Sequence, residues 1–148
     1  FGSWFFMCSI ITNIEFESYD SPVEDMCGSC SLCISACPTG AITDEYVVDA
    51  NKCISFQTIE NKNEIPNELK GSFDNWIFGC DICQDVCPWN QKFSMLTSID
   101  EFYPQNKELN YDEVLKLDNQ TFKERFAESP IKRTKIKGMQ RNVKFLFE

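Results

Sequence analysis

Histidine is absent from all 148 residues. Its absence removes the usual general base near neutral pH, Rieske-type cluster ligation, and any histidine-bound haem or metal from this stretch of chain. Long apolar runs are missing too. No stretch approaches the roughly 20 residues needed to span a bilayer as a helix. Bases are scarce over most of the chain. Residues 129–148 hold six of the 14 lysines and arginines and one of the 23 acids, a local charge of +5. The total is −9, so residues 1–128 carry −14. An acidic body of that size repels a polyanion, which would meet the basic tail instead. The chain opens on Phe rather than Met and is expected to continue upstream, so a signal peptide cannot be judged from it.

What the chain has in excess is cysteine, with nine residues. The first block reads Cys27-Gly-Ser-Cys30-Ser-Leu-Cys33-Ile-Ser-Ala-Cys37-Pro38. The second has Cys53, a long insert, then Cys80-Asp-Ile-Cys83-Gln-Asp-Val-Cys87-Pro88. The first block has the spacing of bacterial two-cluster ferredoxins, and the second repeats its end with the leading cysteine moved upstream. Eight thiolates make two sets of four, enough for two [4Fe–4S] clusters and single-electron transfer. Two intervening residues let a tight loop aim successive thiolates at one cluster. The longer spacing before the last cysteine turns that thiolate toward the other cluster, and proline then ends any helix entering from before it. The spacing therefore predicts one cluster on Cys27, Cys30, Cys33 and Cys87, and another on Cys37, Cys53, Cys80 and Cys83. Structural zinc usually takes paired C-x2-C knuckles rather than a triple run ending in Cys-Pro. Disulfides suit small secreted chains, whereas 14% aromatic residues indicate a packed core. Thiolates kept for iron favour a cytoplasmic setting. Cys8, in the apolar stretch Trp4 to Ile11, is expected to pack as a small hydrophobe.

The fold class expected is α+β: a two-cluster ferredoxin-like core followed by a helical C-terminal region. Residues 3–11 read as a short apolar helix capped by Ser3, and Ile14 to Glu17 as a half-buried strand. Ala41 to Thr43 and Tyr46 to Val48 read as two short strands. A helix is expected from Lys52 to about Glu60, with Cys53 on its first turn. Trp76, Ile77 and Phe78 are expected beneath the second cysteine loop. Helices follow over Tyr111 to Leu117, Asp118 to Ala127 with Asp118 as cap, and Thr134 or Lys135 to Phe147, the last with Gly138 as a weak point.

Several stretches resemble the epoxyqueuosine reductases: Gly2-Ser3-Trp4-Phe5-Phe6, Cys37-Pro-Thr-Gly-Ala-Ile42, Tyr46-Val-Val-Asp-Ala50, Cys53-Ile-Ser55, Phe78 to Asn90, and Ser129-Pro-Ile-Lys-Arg-Thr134 with Arg141-Asn142. The cysteine spacing is shared with many ferredoxins. Cys-Gln-x-Val-Cys-Pro-Trp-Asn and Ser-Pro-Ile-Lys-Arg are more particular. The resemblance implies an oxidoreductase that converts epoxyqueuosine to queuosine at a tRNA wobble position, using cobalamin and two [4Fe–4S] clusters. The epoxide oxygen leaves as water, with two electrons and two protons supplied. It implies that residues 1–20 end an upstream cobalamin-binding domain, that 21–95 form the two-cluster domain, and that 96–148 form a helical region with a basic tail. The proton donor is then expected upstream, with no catalytic residue in this chain. Ser55, Asp81 and Ile82, beside the second thiol set, are the implied cobalamin contacts. Lys132, Arg133, Lys135, Lys137 and Arg141 are the implied tRNA contacts, in keeping with their clustering on an otherwise acidic chain. An unidentified donor would feed the clusters, and no membrane is implied. Two further readings carry the same cysteines: a reductive dehalogenase-like cobalamin enzyme, and a plain two-cluster electron carrier.

Overall fold

The computed structural model describes residues 2–104 and 109–148. Its first half is built around the cysteine loops. Helix α1 (Leu32–Ala36) carries Cys33 and is followed by an antiparallel pair, β1 (Ile42–Asp44) and β2 (Val47–Val48), with Ile42 opposite Val48. Helix α2 (Ile54–Ile59) starts directly after Cys53. Helices α3 (Ile82–Asp85) and α4 (Pro88–Phe93) carry or follow Cys83 and Cys87. Proline at the first position of α4 suits a helix start, where no amide partner is required. The second half is helical: α5 (Tyr111–Lys116), α6 (Asn119–Arg125), a 3-10 turn over Pro130–Arg133, and α7 (Lys135–Phe147). This mixed helical fold with one small sheet agrees with the expected α+β class.

Helix α7 joins the halves. Met139 and Val143 on its inner face pack with Ile77, Val114, Phe122 and Phe126 in one buried cluster. Phe145 and Leu146 reach a second cluster of Ile54, Ile65, Leu69 and Phe73, which also touches Cys80. Helix ends leave carbonyls without partners, and α7 supplies donors for two of them. Gln140 Nε2 donates to the carbonyls of Val114, Leu115 and Leu117 at the end of α5. Arg141 does the same for α2.

Several expectations on the fold are corrected. Residues 3–11 form no helix, and Trp4 to Ile11 are exposed, Ile11 fully. A short apolar segment with no packed face cannot hold a helix on its own propensity. Cys8 is likewise exposed rather than packed. Ile14 to Glu17 are exposed and form no strand. Cys53 caps α2 instead of lying within it. Only Trp76 packs against the cluster that touches Cys80, whereas Ile77 and Phe78 join the helical core.

Gly138 is a requirement rather than a weak point. A Cβ there would lie 2.4 Å from Thr134 Oγ1. Thr134 is buried, stiff at χ1, and donates to the carbonyl of Thr58 at 2.9 Å. Alanine at 138 would gain about 1 kcal/mol of helix propensity. Overpacking a fixed neighbour costs about 1–3 kcal/mol. We expect Gly138→Ala to lower the thermal midpoint, and a raised midpoint would contradict this packing.

Candidate metal centre and basic groove

Helix α1 packs on α3, which brings the two cysteine blocks together. The Cys27 thiol is pushed up from its ordinary pKa by burial, then by Asp25, Cys87, Cys30 and Cys33. Cys87 thus faces the thiols of the other block. The Cys83 thiol is pushed up by burial, then chiefly by Cys53, with Cys37 and Cys33 also acting on it. The Cys80 thiol rises through burial, with the Ile82 amide opposing, and Cys83, Cys53 and Asp81 add to the rise. Thiols of the two blocks thus lie within electrostatic reach of one another. The leading charges on Cys27, Cys80 and Cys83 are all negative. Such crowded thiols resist ionising together unless a cation takes them as thiolates.

The donor set suits clusters. All nine cysteines are free. Among the described residues no three Cys, Asp or Glu side chains are placed to grip a single metal ion, whereas a four-iron cluster spreads its ligands over separate irons. Burial pushes the Cys37 thiol up, but the Thr39 hydroxyl and the amides of Ala41, Ile42 and Thr39 outweigh it and lower its pKa. The Ala41 amide donates to Cys37 Sγ at 3.3 Å. Amides aimed at sulfur suit a metal-bound thiolate.

Residues outside the motif hold these loops. The Tyr46 hydroxyl donates to Asp25, which lowers the Asp25 pKa and pushes Tyr46 up to about 12. This ties the β1–β2 turn to the first cysteine loop. Trp89 Nε1 donates to the Met26 carbonyl at 3.0 Å. Asn90, 2% exposed, donates to the Gln84 carbonyl at 2.8 Å and to Ser3 Oγ at 3.0 Å. A Cβ on Gly2 would fall 1.8 Å from Asn90 Oδ1. The Gly2-Ser3 opening and the Trp89-Asn90 pair, far apart in sequence, therefore form one joint.

Ser55, Asp81 and Ile82 sit beside the second thiol set, at the starts of α2 and α3. Asp81 occupies the N-cap of α3, yet its side chain makes no capping bond. Its carboxyl pKa is raised by burial and by Asp85. Ser55 and Ile82 are half-buried. Together they offer a face, not an enclosure.

The bases of the tail fall into three situations. Lys132 Nζ is bound to the Ala127 carbonyl at 2.7 Å, and Arg133 pairs with Glu60. Lys135 is exposed and adopts φ 61°, which turns the chain from the 3-10 segment into α7. Lys137 and Lys144 line an open groove of about 630 Å³ together with Lys70 from the insert, Gln140, Arg141 and Phe145, and with the acids Glu64 and Glu148. Lys70 was not foreseen, because an isolated lysine carries no signal until the insert folds against α7.

Arg141 differs from the other bases of the tail. Its Nε and Nη2 donate to Asn142 Oδ1, Nη1 to the carbonyls of Asn61 and Asn63, and Nη2 also to that of Gln57. All five of its donors are taken by this chain. Burial lowers its pKa. Arg141 braces the end of α2 and lines the same groove with its donors already taken.

Comparison with known proteins follows this geometry. A family described as a 4Fe-4S double cluster binding domain matches residues 26–90. An epoxyqueuosine reductase of Leadbetterella byssophila is 48% identical over 99% of the chain and 48% of its own length. One of Cellulophaga algicola is 49% identical over 98% of the chain and 47% of its own length. The chain thus spans about half the length of the curated relatives it matches. A crystal structure of epoxyqueuosine reductase with an epoxyqueuosine-modified tyrosine tRNA stem loop superposes with a TM-score of 0.79 at 37% identity, covering 86% of this chain and 34% of that one. The structure from Streptococcus thermophilus gives 0.77 at 34% identity, over 91% and 35%.

Proposed function

The chain belongs to the epoxyqueuosine reductase family, and from that premise we propose that it is the electron-delivering and RNA-contacting part of an enzyme reducing epoxyqueuosine in tRNA to queuosine. The observation that carries this reading is the packing of α1 on α3, which brings together two cysteine blocks with the spacing of a double-cluster domain. Cys27, Cys30, Cys33 and Cys87 would hold one [4Fe–4S] cluster, and Cys37, Cys53, Cys80 and Cys83 the other. Bound there, the clusters supply electrons singly, and cobalamin supplies a low-potential centre for opening the epoxide. Ser55, Asp81 and Ile82 would meet the cobalamin from one side only, so most of its binding would come from another part of the enzyme. Exposed Trp4, Phe5, Phe6 and Ile10 support a covering domain, because an apolar arm of that size is costly to leave in water. The charge needed against an RNA backbone is supplied by Lys70, Lys137 and Lys144 in the groove and Lys135 beside it, with Lys132 and Arg133 on the adjoining turn. Such contacts position RNA without reading its sequence. No helix among the described residues is long and apolar enough to cross a membrane, and a reducing compartment such as the cytoplasm would keep the thiols ready for iron.

The test uses full-length enzyme reconstituted anaerobically. It should bind about eight irons with matching sulfide. With cobalamin, a reductant and an epoxyqueuosine-bearing stem-loop, it should form queuosine, read by mass spectrometry. Residues 1–148 alone should form none. Stoichiometric zinc without sulfide would overturn the cluster reading, and full clusters without queuosine would overturn the substrate. Turnover by the short chain at the full enzyme's rate would overturn the division of labour.

A further inference from the structure

A buried polar network beneath the second thiol set has no part in the chemistry described so far. Thr58 is fully buried, Asn142 is 1% exposed and Thr134 is 2% exposed. Thr58 Oγ1 donates to the Ile54 carbonyl at 2.8 Å, next to Cys53. The same oxygen accepts the Gly79 amide at 3.0 Å, next to Cys80. Gly79 has φ 73°, a conformation that favours glycine and sets the direction in which Cys80 leaves the turn. One hydroxyl therefore joins the residues flanking two ligands that lie far apart in sequence. The Thr58 carbonyl is itself held from α7, by Asn142 Nδ2 at 2.8 Å and Thr134 Oγ1 at 2.9 Å. Asn142 Nδ2 also donates to the Ile77 carbonyl at 2.9 Å, on the segment leading to Gly79. Arg141 orients Asn142 by donating to its Oδ1.

We propose that Thr58 and Asn142 are positioning residues for the second cluster, fixing Cys53 against Cys80 and holding both against the helix that carries the groove lysines. The proposal rests on the reading that the eight thiols bind two clusters. Packing alone would not need this arrangement. Apolar contact is non-directional, whereas hydrogen bonds set angles as well as distances. Among the described residues no buried side-chain nitrogen or oxygen lacks a partner, so the network is complete and costly to disturb at any one point. Neither residue touches a cluster or substrate. They act through the backbone that presents Cys53 and Cys80. Ligand geometry and the surrounding hydrogen bonds set a cluster's potential, so the effect should fall on one cluster and spare the other.

The experiment uses the full-length enzyme reconstituted with iron and sulfide, followed by redox titration with electron paramagnetic resonance, iron content and thermal melting. Cys53→Ala first identifies which signal belongs to the second set. Thr58→Val removes the hydroxyl at similar size, Thr58→Ser retains it, and Asn142→Leu removes both amide donations. We expect Thr58→Val and Asn142→Leu to shift the potential of the Cys53-dependent signal, or to lose that cluster's iron, with the other cluster unchanged. Thr58→Ser should behave as wild type. A lower melting midpoint with both clusters unchanged, or equal damage to both, would overturn the proposal. Where the variants fail to fold, hydrogen exchange on the wild type decides: the Gly79 amide should be protected like amides in the middle of α7, and exchange at an open-loop rate would overturn it. Wild-type enzyme that assembles no clusters would instead overturn the proposed function.

Discussion

Replacing Cys87 with alanine is expected to remove the cluster held by Cys27, Cys30 and Cys33, the block farthest from it in sequence, and to leave the other cluster in place. Cys87 lies one residue before Pro88, in extended conformation, capping α4. Cys87 is the first thiol to act on Cys27, ahead of Cys30 and Cys33. Cys37 acts on Cys83 as well, after Cys53 and together with Cys33. Iron content should fall from about eight to about four in either Cys87→Ala or Cys37→Ala. The two variants should lose different signals, however, and each should lose the signal of the opposite block. Loss of the Cys80–Cys83 signal in Cys87→Ala would show that the blocks do not cross. Queuosine formation should drop to background in both, because electrons supplied one at a time need the whole path.

The features legible in sequence are those whose cause is local. The double-cluster character is one, because the cysteine spacing alone carries it. The antiparallel pair was readable from two short β-branched runs around Asp44-Glu45. Helix α7 was readable over Thr134 or Lys135 to Phe147, and it spans Lys135–Phe147. Asp118 was readable as a cap, and its side chain does accept the Thr121 amide. The features that were not legible depend on a partner. Trp4 to Ile11 is apolar enough for a helix, yet helices of that length need a face to pack against. Thr58, Arg141 and Asn142 are ordinary polar residues in a list, and their meaning lies in carbonyls as many as 84 residues away. Gly138 reads as a weak helix position until Thr134 is seen lying across it. Charge counting grouped Arg141 with the exposed bases of the tail and passed over Lys70, which shares a groove with Lys137 and Lys144.

That mixed result leads to a separation between two kinds of basic residue on one helix. Arg141→Met should lower stability by about 3 kcal/mol, since several charge-assisted hydrogen bonds are lost and the carbonyls of Gln57, Asn61 and Asn63 are left without their donor. The apolar stem is retained, so the loss reports the guanidinium and not the packing. At a temperature where this variant remains folded, its affinity for an epoxyqueuosine stem-loop should be near that of wild type, because its donors face inward. Lys70, Lys137 and Lys144 should behave in the opposite way. Their replacement by glutamine should leave the melting midpoint almost unchanged, since exposed side chains without partners contribute little. RNA affinity should fall with each substitution, uniformly across stem-loop sequences, and the slope of log affinity against log salt should lessen by about one unit per phosphate contact removed. Melting and a salt series on these four single variants and on the triple lysine variant provide the check. A stable Arg141→Met with a reduced salt slope would return Arg141 to the RNA surface, and unchanged affinity in the triple lysine variant would mean that the groove is only solvated.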